Sequence, residues 1–546
     1  MKKLSFLLLA IIGFSSCHQK RRADIIFYNG VVYTVNSGFS IVEGCVVRDG
    51  KIHDLGNSKD LLEEYDAPKK FDLQGRAVYP GFIDSHCHFY GYSTDLLKCD
   101  LYGTKSIDEV IEKLQAFAKT NSFGWILGRG WDQNDWPGKV YPDNAKLDSL
   151  FPTTPVYLMR IDGHAALCNS AALKLAGVTS STKLDGGEII LKNDQLTGLL
   201  IDNAVDLVKI KIPPFTPELV EKALLDGQSN CFEAGLTTVD DAGLEKDSIE
   251  TIYLLQKAGK LKIRVYAMLT DSYETLSYFF KKGTLKTDRL NVRSVKMYAD
   301  GALGSRGALL KKPYSDAPGH YGFLLHPIGY FSTIAEQAME NGFQVCTHAI
   351  GDSANKLMLN MYAKVLKGEN NRRWRIEHCQ LVSKKDRSQF VMNNIIPSVQ
   401  PTHATSDMYW VEERIGKERM AEGYAYKDLK NEAGDMIVFG TDFPVERINP
   451  IYTFYAAVVR KDLEGFPEHG FQKDNAVKKK DALRAMTIWG AYGNFEEEEK
   501  GSIEESKVAD FVILDQDIMQ IDENRIPLTK VVATFVNGEL VFGELK

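Results

Sequence analysis

From residue 78 to residue 440 the chain runs in short apolar stretches of strand-like composition alternating with helical segments, and this alternation admits few folds. Candidate strands lie at 78–84, 125–128, 156–161, 236–240, 263–269, 292–297, 343–347, 374–377, 396–399 and 436–440. A closed (β/α)8 barrel takes eight strands, so two of these ten must stand outside it. The runs at 125–128 and 156–161 are the pair to remove, because a hairpin pattern at 188–191 and 196–200 around Asn193-Asp194 follows them without a regular βα rhythm. The expected class is α/β: a TIM-type barrel over 81–495 with an inserted α+β subdomain at about 98–225 after the first strand. Leaving the C-terminal end of that strand, the insertion should overhang the mouth where such barrels do chemistry.

At 546 residues the chain is too long for one ordinary domain, and two β-rich flanks account for the excess. Ile25 to Tyr28, Asn29-Gly30 and Val31 to Tyr33 predict a hairpin, as does Asp49-Gly50 before Lys51-Ile52. The same texture returns at 508–514 and 530–542 around Asn537-Gly538, so segments 24–80 and 500–546 are expected to close one composite β-sandwich. The acidic run Glu496 to Glu499, just before the second flank, reads as a solvated linker face.

Residues 1–17 read as a signal peptide: Lys2-Lys3, an apolar run from Leu4 to Phe14 too short to span a bilayer, then Ser15-Ser16-Cys17. The small-small-Cys ending resembles a bacterial lipobox with Cys17 as the lipidated residue, although Phe14 stands where an aliphatic residue is commoner. A secretory signal cleaved elsewhere is the alternative. The other seven cysteines are too scattered for a disulfide framework and read as buried free thiols. With 66 Lys+Arg interspersed among 73 Asp+Glu, the chain has no basic footprint for nucleic acid. The expectation is an exported, membrane-anchored lipoprotein facing the periplasm or cell surface. It would touch the membrane only through lipid and act on a small-molecule substrate, with assembly into a homo-oligomer left open.

Four of the eleven histidines fall just past candidate strands. His86 and His88, one residue apart on an extended chain, point into the same space, as two ligands of one metal require. His348, His378 and Asp442 close three later strands, so a carboxylate and four imidazoles ring the C-terminal end of the barrel. Lys296 lies near the end of the 292–297 strand. If buried, its amine loses its proton easily and can act as a nucleophile or take up carbon dioxide as a carbamate. Otherwise its head reaches solvent or pairs with Asp300. Weaker candidates for substrate contact are Trp131, Asp132, Arg160, Asp162, His164, Ser305, Arg306, Gln400, His403 and Asp407, for each of which an ordinary salt bridge or a satisfied polar role is as good a reading.

Pro80-Gly81-Phe82-Ile83-Asp84-Ser85-His86-Cys87-His88, Val295 to Gly301, His348-Ala349-Ile350-Gly351-Asp352, Ile376-Glu377-His378 and Thr441-Asp442-Phe443-Pro444 together closely resemble the amidohydrolase superfamily. More narrowly they resemble its amidohydrolase 3 group, which includes members like exoenzyme regulatory proteins and N-substituted formamide deformylases. The resemblance spans essentially the whole mature chain. It implies a barrel with a composite sandwich and two divalent metal ions held by His86, His88, carbamylated Lys296, His348, His378 and Asp442. The activity implied is hydrolysis of an amide-type C–N bond (N-substituted formamide, N-acyl or cyclic amide) by a metal-activated hydroxide, with Asp442 moving the proton. Zinc suits such ligands best. One alternative is a mononuclear deaminase on the same barrel, disfavoured by the strand-end lysine and by the lack of a glutamate three residues past His348. The other is a non-enzymatic binding lipoprotein, which would be expected to have lost ligands.

Cys17→Ala should stay out of the lipid-modified membrane fraction of a bacterial host while the unaltered chain enters it. Both forms remaining cytosolic at precursor mass would refute export, and both emerging as soluble exported protein would refute only the lipid anchor.

Overall fold

Eight parallel strands form the central sheet: β1 (Phe82–Cys87), β2 (Leu236–Leu244), β3 (Arg264–Leu269), β4 (Leu290–Tyr298), β5 (Gln344–Ala349), β6 (Arg375–His378), β7 (Ile396–Val399) and β8 (Val438–Phe439). The computed structural model describes residues 20–545 except 122 and 369, so the leader with Cys17 lies outside the described residues. β3 and β5 are buried along their whole length, as strands covered on both faces must be. The sheet closes from β8 to β1 through the segment after β8: the Asp442 N–H donates to the His86 carbonyl at 2.8 Å, and the His88 N–H to that of Phe443 at 2.9 Å. Gly440 makes this approach possible, because a Cβ there would stand 2.5 Å from the His86 nitrogen.

The runs excluded from the barrel by count pair with each other in a separate six-stranded sheet, as Ile126–Trp131 beside Val156–Arg160. In the same sheet Leu191 faces Leu196 across a tight turn whose Asn193 and Asp194 both take positive φ, 51° and 60°, the conformation such two-residue hairpins need. The expected single strand at 78–84 is two strands. Ala77–Pro80 runs antiparallel to Phe511–Leu514, and only after Gly81 does the chain enter β1. At Gly81 a Cβ would collide with the Thr237 side chain at 2.3 Å.

The two flanks supply a four-stranded and a six-stranded sheet, packed across a core in which Phe27 lies edge-on to Phe511 and Phe535, with centroids 5.5 and 5.1 Å away. In the six-stranded sheet three strands of the second flank meet three of the first at one junction, Phe511–Leu514 beside Ala77–Pro80. Tyr33 and Tyr79 both donate their hydroxyls to Asp517, each at 2.8 Å. Arg264 of β3 pairs with Asp510 at 2.7 Å and ties barrel to flank.

Only half of the acidic run is a solvated face: Glu498 and Glu499 are exposed, whereas Glu496 and Glu497 turn inward. Glu496 is 3% exposed and paired with Lys500 and Lys286, and Glu497 holds Arg373 at 2.8 Å. Burial raises the Glu496 carboxyl, yet the two lysines outweigh it and keep it below its ordinary range. The seven cysteines among the described residues are all free and buried.

Gly440→Ala is expected to cost about 1–3 kcal/mol through the forced contact with β1. Gly329→Ala, where nothing lies within 4 Å, should leave stability unchanged or slightly raised. Thermal unfolding of both variants checks the contrast, and equal melting temperatures would show that β8 can move away from β1 without cost.

Candidate metal centre

The C-terminal ends of β1, β4, β5 and β6 converge with the segment after β8 on one buried cluster. The alternation of β1 sets the His86 and His88 rings 5.7 Å apart. His86 Nδ1 lies 2.6 Å from Glu377 Oε2, which only accepts, so the ring proton sits on Nδ1 and the Nε2 lone pair faces inward. His88 Nδ1 donates to the Ala242 carbonyl at 3.0 Å and His378 Nδ1 to the Gln400 amide oxygen at 2.8 Å, with the same consequence. Nε2 of His86 and of His88 stand 3.6 and 3.2 Å from Asp442 Oδ1. Ligand atoms of His86, His378 and Asp442 all fall within 4.8 Å of one another.

Neighbours on a regular strand face opposite ways, yet Glu377 and His378 both meet His86, whose ring lies 4.8 Å from that of His378. Positive φ at His378, 73°, turns its side chain inward at the strand end, and Asp442 has the same left-handed backbone at 62°. Behind them Arg375, without exposed surface, donates to Glu377 Oε1 (2.8 Å), Asp240 Oδ2 (2.9 Å) and the Ser85 carbonyl (2.9 Å).

Burial lowers the His86 imidazole to about 4 and takes His348 and His378 well below the usual range, so all three are neutral. Burial would raise Glu377, but Arg375 and His86 overcome it and hold the carboxyl low; Asp442 likewise lies well below the ordinary carboxylate range, with His88 the largest influence against burial. His348 Nε2 and Asp442 Oδ1 are buried without a hydrogen-bond partner. Neutral imidazoles with inward lone pairs, an ionised carboxylate and two orphaned donor atoms fit a divalent cation.

Lys296 is fully buried, with Nζ 3.2 Å from His86 Nε2 and 4.5 Å from the Tyr298 ring centre. Neither bland expectation for it holds. Its head does not reach solvent, and Asp300 instead accepts the N–H groups of Leu309, Ile350 and Gly351 at 2.8–3.0 Å. Burial lowers its amine.

Of the expected substrate contacts, Asp132, Arg160, Asp162, His164, His403 and Asp407 line a cavity of about 1080 Å³ that also takes in His88, Lys296, His348, His378 and Asp442. Asp132 and Asp162 are both clamped to Arg160, whose Nε donates to Gln133 at 2.8 Å. His164 Nδ1 lies 2.6 Å from Asp202 Oδ1, and its ring is 5.2 Å from that of His348. Three expectations are corrected. Trp131 is buried in the core of the insertion, with its indole N–H on the Leu158 carbonyl, because its aromatic bulk packs on Trp136. Arg306 turns away to Asp316 at 2.9 Å, and Gln400 stands behind His378, off the cavity wall. Glu377, Gln380, Tyr298 and Asp202 were not expected. Arg375 and Glu377, two apart within an otherwise apolar run, were the one available signal, since buried charges must pair.

A model of the amidohydrolase family matches residues 69–542. The chain is 32% identical over 530 residues to the amidohydrolase YtcJ of Bacillus subtilis, covering 95% of this chain and 99% of that one. It is 25% identical over 543 residues to an N-substituted formamide deformylase of Arthrobacter pascens, covering 95% and 98%. The crystal structure of an uncharacterized metal-dependent hydrolase of Pyrococcus horikoshii superposes with a TM-score of 0.75 at 30% identity, covering 91% of this chain and 99% of that one.

Glu377→Gln keeps an acceptor for His86 but removes the charge that answers Arg375. Competition against a chelator should show divalent-ion affinity about 10–100-fold weaker. Unchanged affinity would remove Glu377 from the centre.

Proposed function

Because the chain belongs to the amidohydrolase family, we propose that this metal-dependent hydrolase cleaves an amide-type C–N bond in a small molecule: an N-substituted formamide, an N-acyl compound or a cyclic amide. The observation that carries the reading is the set of three imidazoles whose Nδ1 protons are committed to Glu377, Ala242 and Gln400, leaving three Nε2 lone pairs around the Asp442 carboxylate. The name of the Arthrobacter relative supports the formamide class. Two divalent ions, zinc in the first instance, would be held by His86, His88, His348, His378, Asp442 and Lys296 as its carbamate.

A bound ion would supply Lewis-acid polarisation of the carbonyl and acidify water. The chain's residues would do the rest. Asp442 takes a proton from the attacking water and returns it to the leaving nitrogen. Desolvation lowers the buried Lys296 amine and so favours its uncharged form, which adds carbon dioxide at Nζ, gives up a proton and thereby becomes an anionic ligand. Asp132, Asp162 and His164 bring the insertion to the cavity wall and orient the rest of the substrate. We further place the protein outside the cytoplasm, tethered by lipid at Cys17.

A single-ion deaminase is the second reading, favoured only by the compactness of the His86, His378 and Asp442 group. Lys296→Ala separates the two. It should lower metal content to one ion or fewer per chain and abolish amide hydrolysis, and a small carboxylic acid in the buffer should partly restore both. Lys296→Arg should not rescue, since a guanidinium stays protonated. Full activity of Lys296→Ala with one tightly bound ion would replace the two-ion reading with the deaminase.

A further inference from the structure

We propose that His403 is a catalytic hydrogen-bond donor, aiming its Nε2–H at the substrate's carbonyl oxygen beside the ion-binding histidines. The inference rests on the amide-hydrolase reading above and adds a residue to it. His403, carried by the helix Pro401–Asp407, is 5% exposed and stacks on His378 with ring centres 5.9 Å apart and planes 17° apart. Lying side by side, the two rings have opposite neighbours. His378 Nδ1 faces an amide oxygen, that of Gln400, and so carries its proton there. His403 Nδ1 faces an amide nitrogen, Gln380 Nε2 at 3.1 Å, and must accept, which puts the ring proton on Nε2.

The other side of the ring faces Asp442. His403 Nε2 lies 3.6 Å from Asp442 Oδ2. With the proton on Nε2, the ring offers a positive edge to that oxygen. The 3.6 Å gap is too long for a hydrogen bond, and Nε2 has no partner although it is buried. The main chains of both residues are anchored: the Gln380 main-chain carbonyl accepts the Tyr424 N–H at 2.7 Å, and the His403 main-chain N–H donates to the Gln400 main-chain carbonyl at 3.1 Å. A donor so fixed, unpaired and on the cavity wall strengthens its hydrogen bond as a carbonyl oxygen gains charge on becoming tetrahedral. No proton leaves the ring. Gln380 is the positioning residue that sets this tautomer.

The test uses the metal-loaded full chain. Histidine ¹⁵N spectra, with His403 assigned by its loss in His403→Leu, should show a protonated Nε2 and an accepting Nδ1, the reverse of the tautomer at His378. Metal content should be the same in His403→Leu as in the unaltered chain, while kcat on p-nitroformanilide falls on the order of 10²–10³-fold with little change in KM. His403→Gln, which keeps an N–H donor, should recover part of the loss. A proton on Nδ1, metal lost from His403→Leu, or formanilide hydrolysis unaffected in His403→Leu would each overturn the donor while leaving the amide-hydrolase reading in place. A chain that binds its ions, carries the His403 proton on Nε2 and leaves formanilide, N-acyl and cyclic amides intact would overturn the amide reading and, with it, the carbonyl oxygen as the donor's target.

Discussion

A guanidinium with no exposed surface dictates the arrangement of everything above it. Arg375 sits inside the barrel and keeps its charge only because Asp240 and Glu377 answer it from two different strands and the Ser85 carbonyl from a third. Removing one partner of such a buried set costs about 3–5 kcal/mol, since the remaining charge is left uncompensated. Asn494, from beyond the barrel strands, holds the second Asp240 oxygen at 2.6 Å. Once Arg375 has engaged one oxygen of Glu377, the other is free for His86, so the orientation of a metal-facing imidazole is inherited from an ion pair on the floor of the barrel.

The barrel and the His86-x-His88 pair were legible because each follows from a period. Apolar runs alternating with helices predict parallel strands, and a period of two sets both imidazoles on one face. His378 was legible as a position but not as a geometry. Strand parity sends Glu377 and His378 to opposite faces, and a left-handed residue at the strand end overrides it. Nothing in residue type signals a positive φ at a histidine. The misreadings share a cause. Trp131, Arg306 and Gln400 are side chains able to bind a ligand that found protein partners first, and Glu496 has two lysines within reach that lie far apart from each other in sequence.

The insertion contributes to the centre through a strained joint. Asp202 has φ 50° and ψ −124°, and its carboxylate presses on Gly301 and Gly307, where a Cβ would come within 2.5 Å of its Oδ2. Two glycines in the segment after β4 are thus required by an aspartate about a hundred residues earlier in the chain. The same carboxylate fixes His164, so the strain holds the insertion's histidine against that of β5.

The meeting of the two flanks in one sheet sets an order on the making of the protein. Ala77–Pro80 has Phe511–Leu514 as one neighbour, and Tyr79 finds its hydroxyl partner 438 residues downstream. While the ribosome is still adding the barrel, the first flank waits with an open edge and half a core. Contacts of such separation close late. The whole chain therefore matures as one unit, its beginning completed only when its last fifty residues have been delivered.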